Sequence, residues 1–122
     1  MAAPTPRVLV VEDDNDLRDS ICAVLQDAGY TSWPAENGEI ALQRARAERP
    51  CVILLDLMMP VMNGWEFRSE QLRDPQLSSI PVIIMTADGR AGEKAKTLRA
   101  DYLKKPITLQ ALLDLVEDYC VS

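Results

Sequence analysis

Short apolar runs alternate with amphipathic segments along almost the whole chain. Runs of about four apolar residues with no polar interruption are typical of strands buried on both faces of a parallel sheet. Pro34 interrupts a weaker run, which favours a position at the sheet edge because proline cannot donate a ladder hydrogen bond. The pattern predicts five strands, at residues 7–11, 30–35, 51–56, 82–85 and 101–104.

Apolar residues at helical spacing fill most of the segments between these strands. They predict helices at residues 14–28, 37–47, 64–73 and 108–120. Gly29 suits the position just after the first helix, and Thr108 suits the cap of the last. The last helix is expected to bury one face, made of Leu109, Leu112, Leu113, Val116 and Cys120.

The segment from residue 88 to 100 is poorly patterned. It contains Gly89 and Gly92, each of which costs a helix interior about 1 kcal/mol relative to alanine. Its apolar residues are few, so a fourth helix here is expected to be short, displaced or partly unfolded.

Alternation of strands and helices with short connections predicts an α/β fold with parallel strands and right-handed crossovers. The doubly wound order 2-1-3-4-5 places the Pro34 strand on an edge and puts the first and third strands side by side. Ligand sites in such sheets lie at the carboxyl ends of the strands. Glu12 and Asp13 are therefore expected to lie beside Asp56, and a buried carboxylate there needs a cationic partner.

Composition narrows the classes of function. A length of 122 residues suits one domain, predicted over residues 1–122 with its core at 6–120, and no output domain is expected after the last helix. The net charge of −6 and the absence of long basic runs disfavour nucleic-acid binding. No apolar stretch approaches the ~20 residues of a membrane span, and residues 1–6 contain no apolar core of a signal peptide.

Histidine is absent, and the three cysteines, Cys22, Cys51 and Cys120, are far apart in sequence. A zinc site, a disulfide framework and a histidine-activated nucleophile are therefore not expected. All three cysteines are expected to be free thiols, in the core or near the surface. The chemistry is left to carboxylates, a lysine and hydroxyl groups.

The ordered set of Glu12-Asp13, Asp56 in Asp-Leu-Met-Met-Pro-Val-Met-Asn-Gly, Thr86-Ala87 and Lys105-Pro106 resembles the receiver domains of bacterial two-component response regulators. The resemblance covers essentially the whole chain and implies the flavodoxin-like (CheY-like) fold. It implies that Asp56 accepts a phosphoryl group from a phosphohistidine. Asp13, Asp56 and the backbone carbonyl of Met58 would bind Mg²⁺ (or Mn²⁺ in its place), and Glu12 would act through water.

The same resemblance assigns roles to residues on the last two strands. Lys105 would contact the phosphoryl oxygens, and the peptide before Pro106 would be cis. Thr86 and Tyr102 would form the switch, changing the face made by helix 4, strand 5 and helix 5. Met58 and Asp88 occupy positions that would tune the lifetime of the phosphoryl group.

The resemblance also implies partners: a sensor histidine kinase or phosphotransfer protein, and a downstream effector or missing output domain. It implies a cytoplasmic, monomeric or weakly dimeric signalling switch that catalyses only its own phosphorylation and dephosphorylation. The domain is not expected to bind nucleic acid directly or to insert into a membrane.

Alternatives remain open at the level of the sequence. Asp13 and Asp14 could both cap the first helix, with Asp14 the better candidate. Lys105 could be a solvated lysine or a structural ion-pair partner of Asp56. The irregular segment after Thr86 motivates a degenerate receiver that binds proteins independently of phosphorylation. A haloacid-dehalogenase type of hydrolase needs an acidic residue where this chain has Met58.

Overall fold

The computed structural model describes residues 6–120, which form one five-stranded parallel sheet in the order β2-β1-β3-β4-β5. The predicted doubly wound fold is confirmed. The strands are β1 (Arg7–Val11), β2 (Thr31–Ala35), β3 (Val52–Asp56), β4 (Val82–Thr86) and β5 (Asp101–Lys104). The helices are α1 (Asn15–Asp27), α2 (Gly38–Glu48), α3 (Gly64–Arg73), α4 (Ala91–Thr97) and α5 (Leu109–Cys120).

The core has two halves, one on each face of the sheet, because successive strand residues point to opposite faces. Leu9, Val11, Ile53 and Leu55 belong to one cluster, which also contains Phe67 of α3. The other cluster contains the intervening strand residues together with buried residues of α1 and α5: Val8, Val10, Val52, Leu54, Ile21, Leu25, Leu112 and Val116. Every residue of β3 and β4 is buried, which explains their unbroken apolar runs.

Short polar side chains begin the first three helices. Asp14 accepts a hydrogen bond from the backbone of Leu17 at 3.1 Å, so the predicted capping role of Asp14 is confirmed. Asn37 caps α2 in the same way, and Asn63 forms a reciprocal capping box with Glu66. Gly29 follows α1 with a φ of 95°, a conformation that glycine adopts without steric cost.

The fourth helix is short, as predicted. It has seven residues and no side-chain cap at its first turn, and it buries only Ala91 and Ala95. Its far end is held from outside, since the guanidinium of Arg68 on α3 donates to the carbonyls of Leu98 and Arg99, each at 3.0 Å. The segment is therefore ordered by its neighbours more than by its own sequence.

The cysteine prediction is wrong. Cys51 and Cys120 form a disulfide bond with their Cα atoms 5.5 Å apart, and only Cys22 keeps a free thiol. The reason is topological: in a parallel α/β fold, the ends of the helices and the beginnings of the strands share one edge of the sheet. A separation of 69 positions in sequence therefore does not keep the two cysteines apart in space.

Leu109 also departs from expectation, because 54% of it is exposed while Leu112, Val116 and Cys120 form the buried face of α5. Phe67 is fully buried, and Trp65 packs against the same cluster. Within residues 6–120, the helices are all too short or too polar to cross a bilayer. The expectations about a signal peptide and a following domain concern the ends of the chain, of which residues 1–5 and 121–122 lie outside the described residues.

Candidate functional site

Three carboxylates meet at the carboxyl edge of the sheet, where β1 and β3 lie side by side. Val11 pairs with Leu55 in the register, so the next residues, Glu12 and Asp56, are brought together across 44 positions of sequence. One carboxylate oxygen from each of Glu12, Asp13 and Asp56 lies within 4.8 Å of the others. Glu12 and Asp56 are buried, whereas Asp13 is exposed to solvent.

Lys105 brings a cation to this cluster from the end of β5. Its ammonium lies 2.6 Å from Oε1 of Glu12 and 3.7 Å from Oδ1 of Asp56. The backbone N–H of Lys105 donates to the carbonyl of Thr86 at 2.8 Å, which ties the end of β5 to the end of β4. The peptide between Lys105 and Pro106 is cis, as the resemblance implies.

Burial and charge set the protonation of these groups. Burial, followed by the neighbouring Glu12, raises the pKa of Asp56 to about 7, although Lys105 acts in the opposite direction. Burial also acts to raise the pKa of Glu12, but hydrogen bonds with Asp56 and Lys105 outweigh it and hold that pKa below its ordinary value. The pKa of Lys105 is raised, since its contacts with Glu12 and Asp56 outweigh the opposing effect of burial.

The residues present fit a hard divalent cation. All three convergent side chains offer oxygen, the donor that Mg²⁺ and Mn²⁺ prefer, and three carboxylates exceed the charge of the single lysine. Burial and, after it, the neighbouring Glu12 raise the pKa of Asp56, and a bound cation would oppose both effects. The exposed Asp13 leaves one side of the cluster open to the waters that Mg²⁺ usually retains.

Thr86 lies at the end of β4, buried and beside the lysine. Its Oγ1 accepts a hydrogen bond from the backbone N–H of Asp88 at 3.2 Å. The carboxylate of Asp88 is engaged with the start of α4, where it accepts from the N–H of Arg90 at 2.7 Å and pairs with Lys94 at 2.8 Å. The hydrogen bond from Lys94 is the main reason that the pKa of Asp88 lies below its ordinary value.

Met58 and Tyr102 frame the site without entering the carboxylate cluster. The backbone N–H of Met58 donates to Oδ1 of Asp56 at 3.3 Å, and its side chain is 76% exposed. Tyr102 is 46% exposed, and a Cβ built on Gly92 of α4 would lie 3.6 Å from its ring. The ring of Tyr102 therefore lies over α4, close to Gly92.

Two supporting residues were missed in the sequence. Arg18 donates to the carbonyl of Glu12 at 2.9 Å and to Asn15 at 2.6 Å, which fixes the turn after β1. Gly64 begins α3 so close to β3 that a Cβ would lie 2.5 Å from the carbonyl oxygen of Asp56. The Asn63-Gly64 pair could have indicated that the backbone of α3 begins close to another element. No feature of the residues around Arg18 indicates its role.

Comparison with known proteins identifies a family that shares this fold. The family model described as response regulator receiver domain matches residues 8–117. Protein PilH of Pseudomonas aeruginosa is 34% identical over 113 residues, covering 90% of this chain and 93% of that protein. The response regulator MprA of Mycobacterium ulcerans is 38% identical over 110 residues, covering 88% of this chain and 47% of that protein, so the chain spans about half of its length.

Solved structures give the same answer. The receiver domain of a sensor histidine kinase from Pseudomonas aeruginosa, with a magnesium ion coordinated in its active-site cleft, superposes with a TM-score of 0.86 and 28% identity. That match covers 98% of this chain and all of the other. The predicted carboxylates, threonine and lysine thus stand at the strand ends of a sheet that such domains share. The chain belongs to the family of response regulator receiver domains.

Proposed function

We propose that this receiver is a signalling switch that takes a phosphoryl group from a phosphohistidine onto Asp56. The observation that carries the proposal is the convergence of Glu12, Asp13 and Asp56 within 4.8 Å, with the ammonium of Lys105 3.7 Å from Asp56. A carboxylate in that setting is both a nucleophile and a ligand for a cation. Apart from its own phosphorylation and dephosphorylation, the domain turns over no substrate.

The transfer needs no general base. An ionised Oδ of Asp56 attacks phosphorus, the bond from phosphorus to the histidine nitrogen of the donor breaks, and an acyl phosphate forms. The obstacle is repulsion, since two like charges ~4 Å apart repel by roughly 4 kcal/mol at an effective dielectric constant of 20. The ammonium of Lys105 reduces that repulsion, and its position favours contact with the transferred oxygens.

Asp13, Asp56 and the backbone carbonyl of Met58 would hold Mg²⁺ directly, and Glu12 would act through water. When bound, the cation neutralises the carboxylates and the phosphoryl oxygens together. Mn²⁺ would substitute. The magnesium ion in the active-site cleft of the Pseudomonas aeruginosa receiver supports a magnesium site of this kind.

Thr86 and Tyr102 would read the modification. The hydroxyl of Thr86 accepts from Asp88, so its own hydrogen is available for a phosphoryl oxygen on Asp56. Turning the hydroxyl towards phosphorus changes the space beneath Tyr102, whose exposed ring then moves inward. The surface of α4, β5 and α5 would change with it, which is a local event biasing a two-state surface.

The partners that this chemistry requires are a sensor histidine kinase or phosphotransfer protein, and an effector protein or output domain that reads the changed surface. We propose a cytoplasmic location, where such kinases expose their phosphohistidine. The domain would act as a monomer or as a weak dimer that forms on phosphorylation.

The test is incubation with Mg²⁺ and acetyl phosphate, followed by intact mass. The wild type is expected to gain one phosphoryl group and Asp56→Asn none. Asp14→Asn is the matched control, because asparagine also caps helices well and Asp14 lies outside the cluster. A wild type that binds Mg²⁺ yet gains no mass would overturn the proposal in favour of a module that binds proteins independently of phosphorylation.

A further inference from the structure

The disulfide joins two elements at the edge of the sheet opposite the carboxylates. Cys51 directly precedes β3, and Cys120 is the last residue of α5. The loop that it closes spans 69 positions and contains Asp56, Thr86, Tyr102 and Lys105. The bond therefore encloses the half of the domain that would respond to phosphorylation.

A second contact holds the same turn of α5. The hydroxyl of Tyr119 donates to the carboxylate of Asp101, the first residue of β5, and this contact raises the pKa of Tyr119 to about 12. Asp101 directly precedes Tyr102 on that strand. The last turn of α5 is thus fixed covalently to β3 and by a hydrogen bond to β5.

The disulfide is within reach of small molecules. Cys51 is half-buried, and Cys120 lines a cavity of about 480 Å³ between the end of α1 and α5. Tyr30, Leu113 and Glu117 also line this cavity. The Sγ of Cys51 lies 3.0 Å from the carbonyl oxygen of Arg7, so the thiol formed on reduction has an acceptor in place and Cys51 need not move.

We propose that Cys51 and Cys120 form a reversible redox modification site, whose state sets how firmly the last turn of α5 is held on the sheet. The inference rests on the proposed function, because that function places the receiver in the cytoplasm. Cytoplasmic thiols are reducing, and disulfides there are usually transient and redox-sensing. The reagents it takes are low-molecular-weight thiols and their disulfides. Reduction releases the covalent tie while Leu112 and Val116 keep the rest of α5 buried.

Reduction of the disulfide consumes two small-molecule thiols. A first thiolate attacks one sulfur of the pair, for which the half-buried Cys51 is the more open, and Cys120 leaves as a thiolate. A second thiolate attacks the small-molecule sulfur of the mixed disulfide and releases Cys51. Two reagent thiols become one disulfide, and their two protons end on Cys51 and Cys120. The reverse sequence, with a small-molecule disulfide as oxidant, restores the bond.

The first measurement counts thiols by mass. The folded protein is equilibrated in buffers that range from reduced to oxidised glutathione, quenched in acid, denatured and labelled with N-ethylmaleimide. We expect three labels at the reducing end and one, on Cys22, at the oxidising end. Three labels in every buffer would overturn the proposal, and so would one label in every buffer short of unfolding.

The second measurement is hydrogen exchange of the wild type in both states, which needs no substitution. Amides of residues 117–120 are expected to exchange roughly tenfold faster or more after reduction, while those of β1 stay unchanged. Equal exchange in the two states would show that the bond does not hold α5 and would overturn the proposal. Cys22→Ser is the matched control, because it removes a thiol and leaves the pair intact.

Failure of the redox proposal and failure of the proposed phosphorylation are separable. Both readouts are made without a phosphodonor, and mass gain from acetyl phosphate is measured on portions of the same samples. A protein that exchanges its disulfide yet takes no phosphoryl group would retain the redox site and lose the phosphorylation switch. The opposite result would retain the switch alone.

Discussion

The guanidinium of Arg68 donates from Nε to the carbonyl oxygen of Leu98 at 3.0 Å, linking α3 to the end of α4. Its other hydrogen bonds go to the carbonyl of Arg99 at 3.0 Å and to Oε1 of Gln71 at 2.8 Å. Arg68 is buried, and burial together with the nearby Arg99 lowers its pKa. The negative end of the α4 dipole thus takes the place of a carboxylate as the partner of a buried cation.

Replacing Arg68 with leucine is expected to lower the free energy of unfolding by roughly 1–3 kcal/mol, since it leaves the carbonyls of Leu98 and Arg99 without a donor. Hydrogen exchange in α4 should rise further than exchange elsewhere. Urea unfolding and exchange mass spectrometry measure the two effects.

Arg73→Leu is the matched control, because Arg73 lies on the same helix in an exposed pair with Glu70. That change should stay within about 0.5 kcal/mol. Equal losses from the two variants would contradict the capping role of Arg68.

Lys105→Met is expected to slow phosphorylation by acetyl phosphate by about 10–100-fold, because no other described group brings a cation within 4 Å of Asp56. Lys104→Met should react at the wild-type rate, since Lys104 is the exposed last residue of β5 and makes no ion pair with a carboxylate within residues 6–120. Rates of mass gain at saturating Mg²⁺ make the comparison. Similar rates for both variants would remove Lys105 from the reaction.

Without divalent cation, Asp56→Asn is expected to stabilise the protein at pH 8. The pKa of Asp56 is about 7 in the folded protein and ordinary, near 3.8, in the unfolded chain. The folded state therefore holds the extra proton between these values, and the carboxylate lowers stability as pH rises through 7. We expect a gain of roughly 1–3 kcal/mol at pH 8 that shrinks towards pH 4.

Urea unfolding in EDTA at several pH values tests this expectation. Addition of Mg²⁺ at pH 8 should stabilise the wild type more than the variant. The difference between their free energies of unfolding should therefore become smaller. A gain that does not change with pH would show that the protonation of Asp56 is not its source.

Gly92→Ala is expected to stabilise the protein by roughly 0.5–1 kcal/mol, since alanine favours the helix and its Cβ would make ordinary contact with the Tyr102 ring at 3.6 Å. Thermal unfolding and hydrogen exchange in α4 measure the effect. Gly64→Ala provides the contrast, because its Cβ would clash with the backbone of Asp56 at 2.5 Å and should destabilise. A loss of stability from Gly92→Ala would contradict the packing described for Tyr102.

The features that could be predicted from the sequence are those that depend on hydrophobic periodicity and on the residues at the ends of strands. The run ending at Asp56 identified a buried strand, and parallel topology then placed Glu12 beside it. Two glycines and few apolar residues identified a weak fourth helix. These signals depend on residues that are close in sequence, so they can be recognised in a single sequence.

Contacts between distant side chains left no such signal. Arg68 resembles any arginine on an amphipathic helix, and only the structure shows it beneath the end of α4. Cys51 and Cys120 were separated by 69 positions, and pairing depends on spatial approach that spacing alone does not give. Their shared place at one edge of the sheet was nevertheless implied by the predicted topology.

Cys51 directly precedes β3 and Asp56 is its last residue, so at ~3.3 Å per residue they lie roughly 17 Å apart. No small reagent can contact both. A phosphodonor and a thiol compound would approach opposite rims of the sheet and would not exclude one another. Under the two proposals, one strand would therefore keep the two sites of covalent modification apart in space.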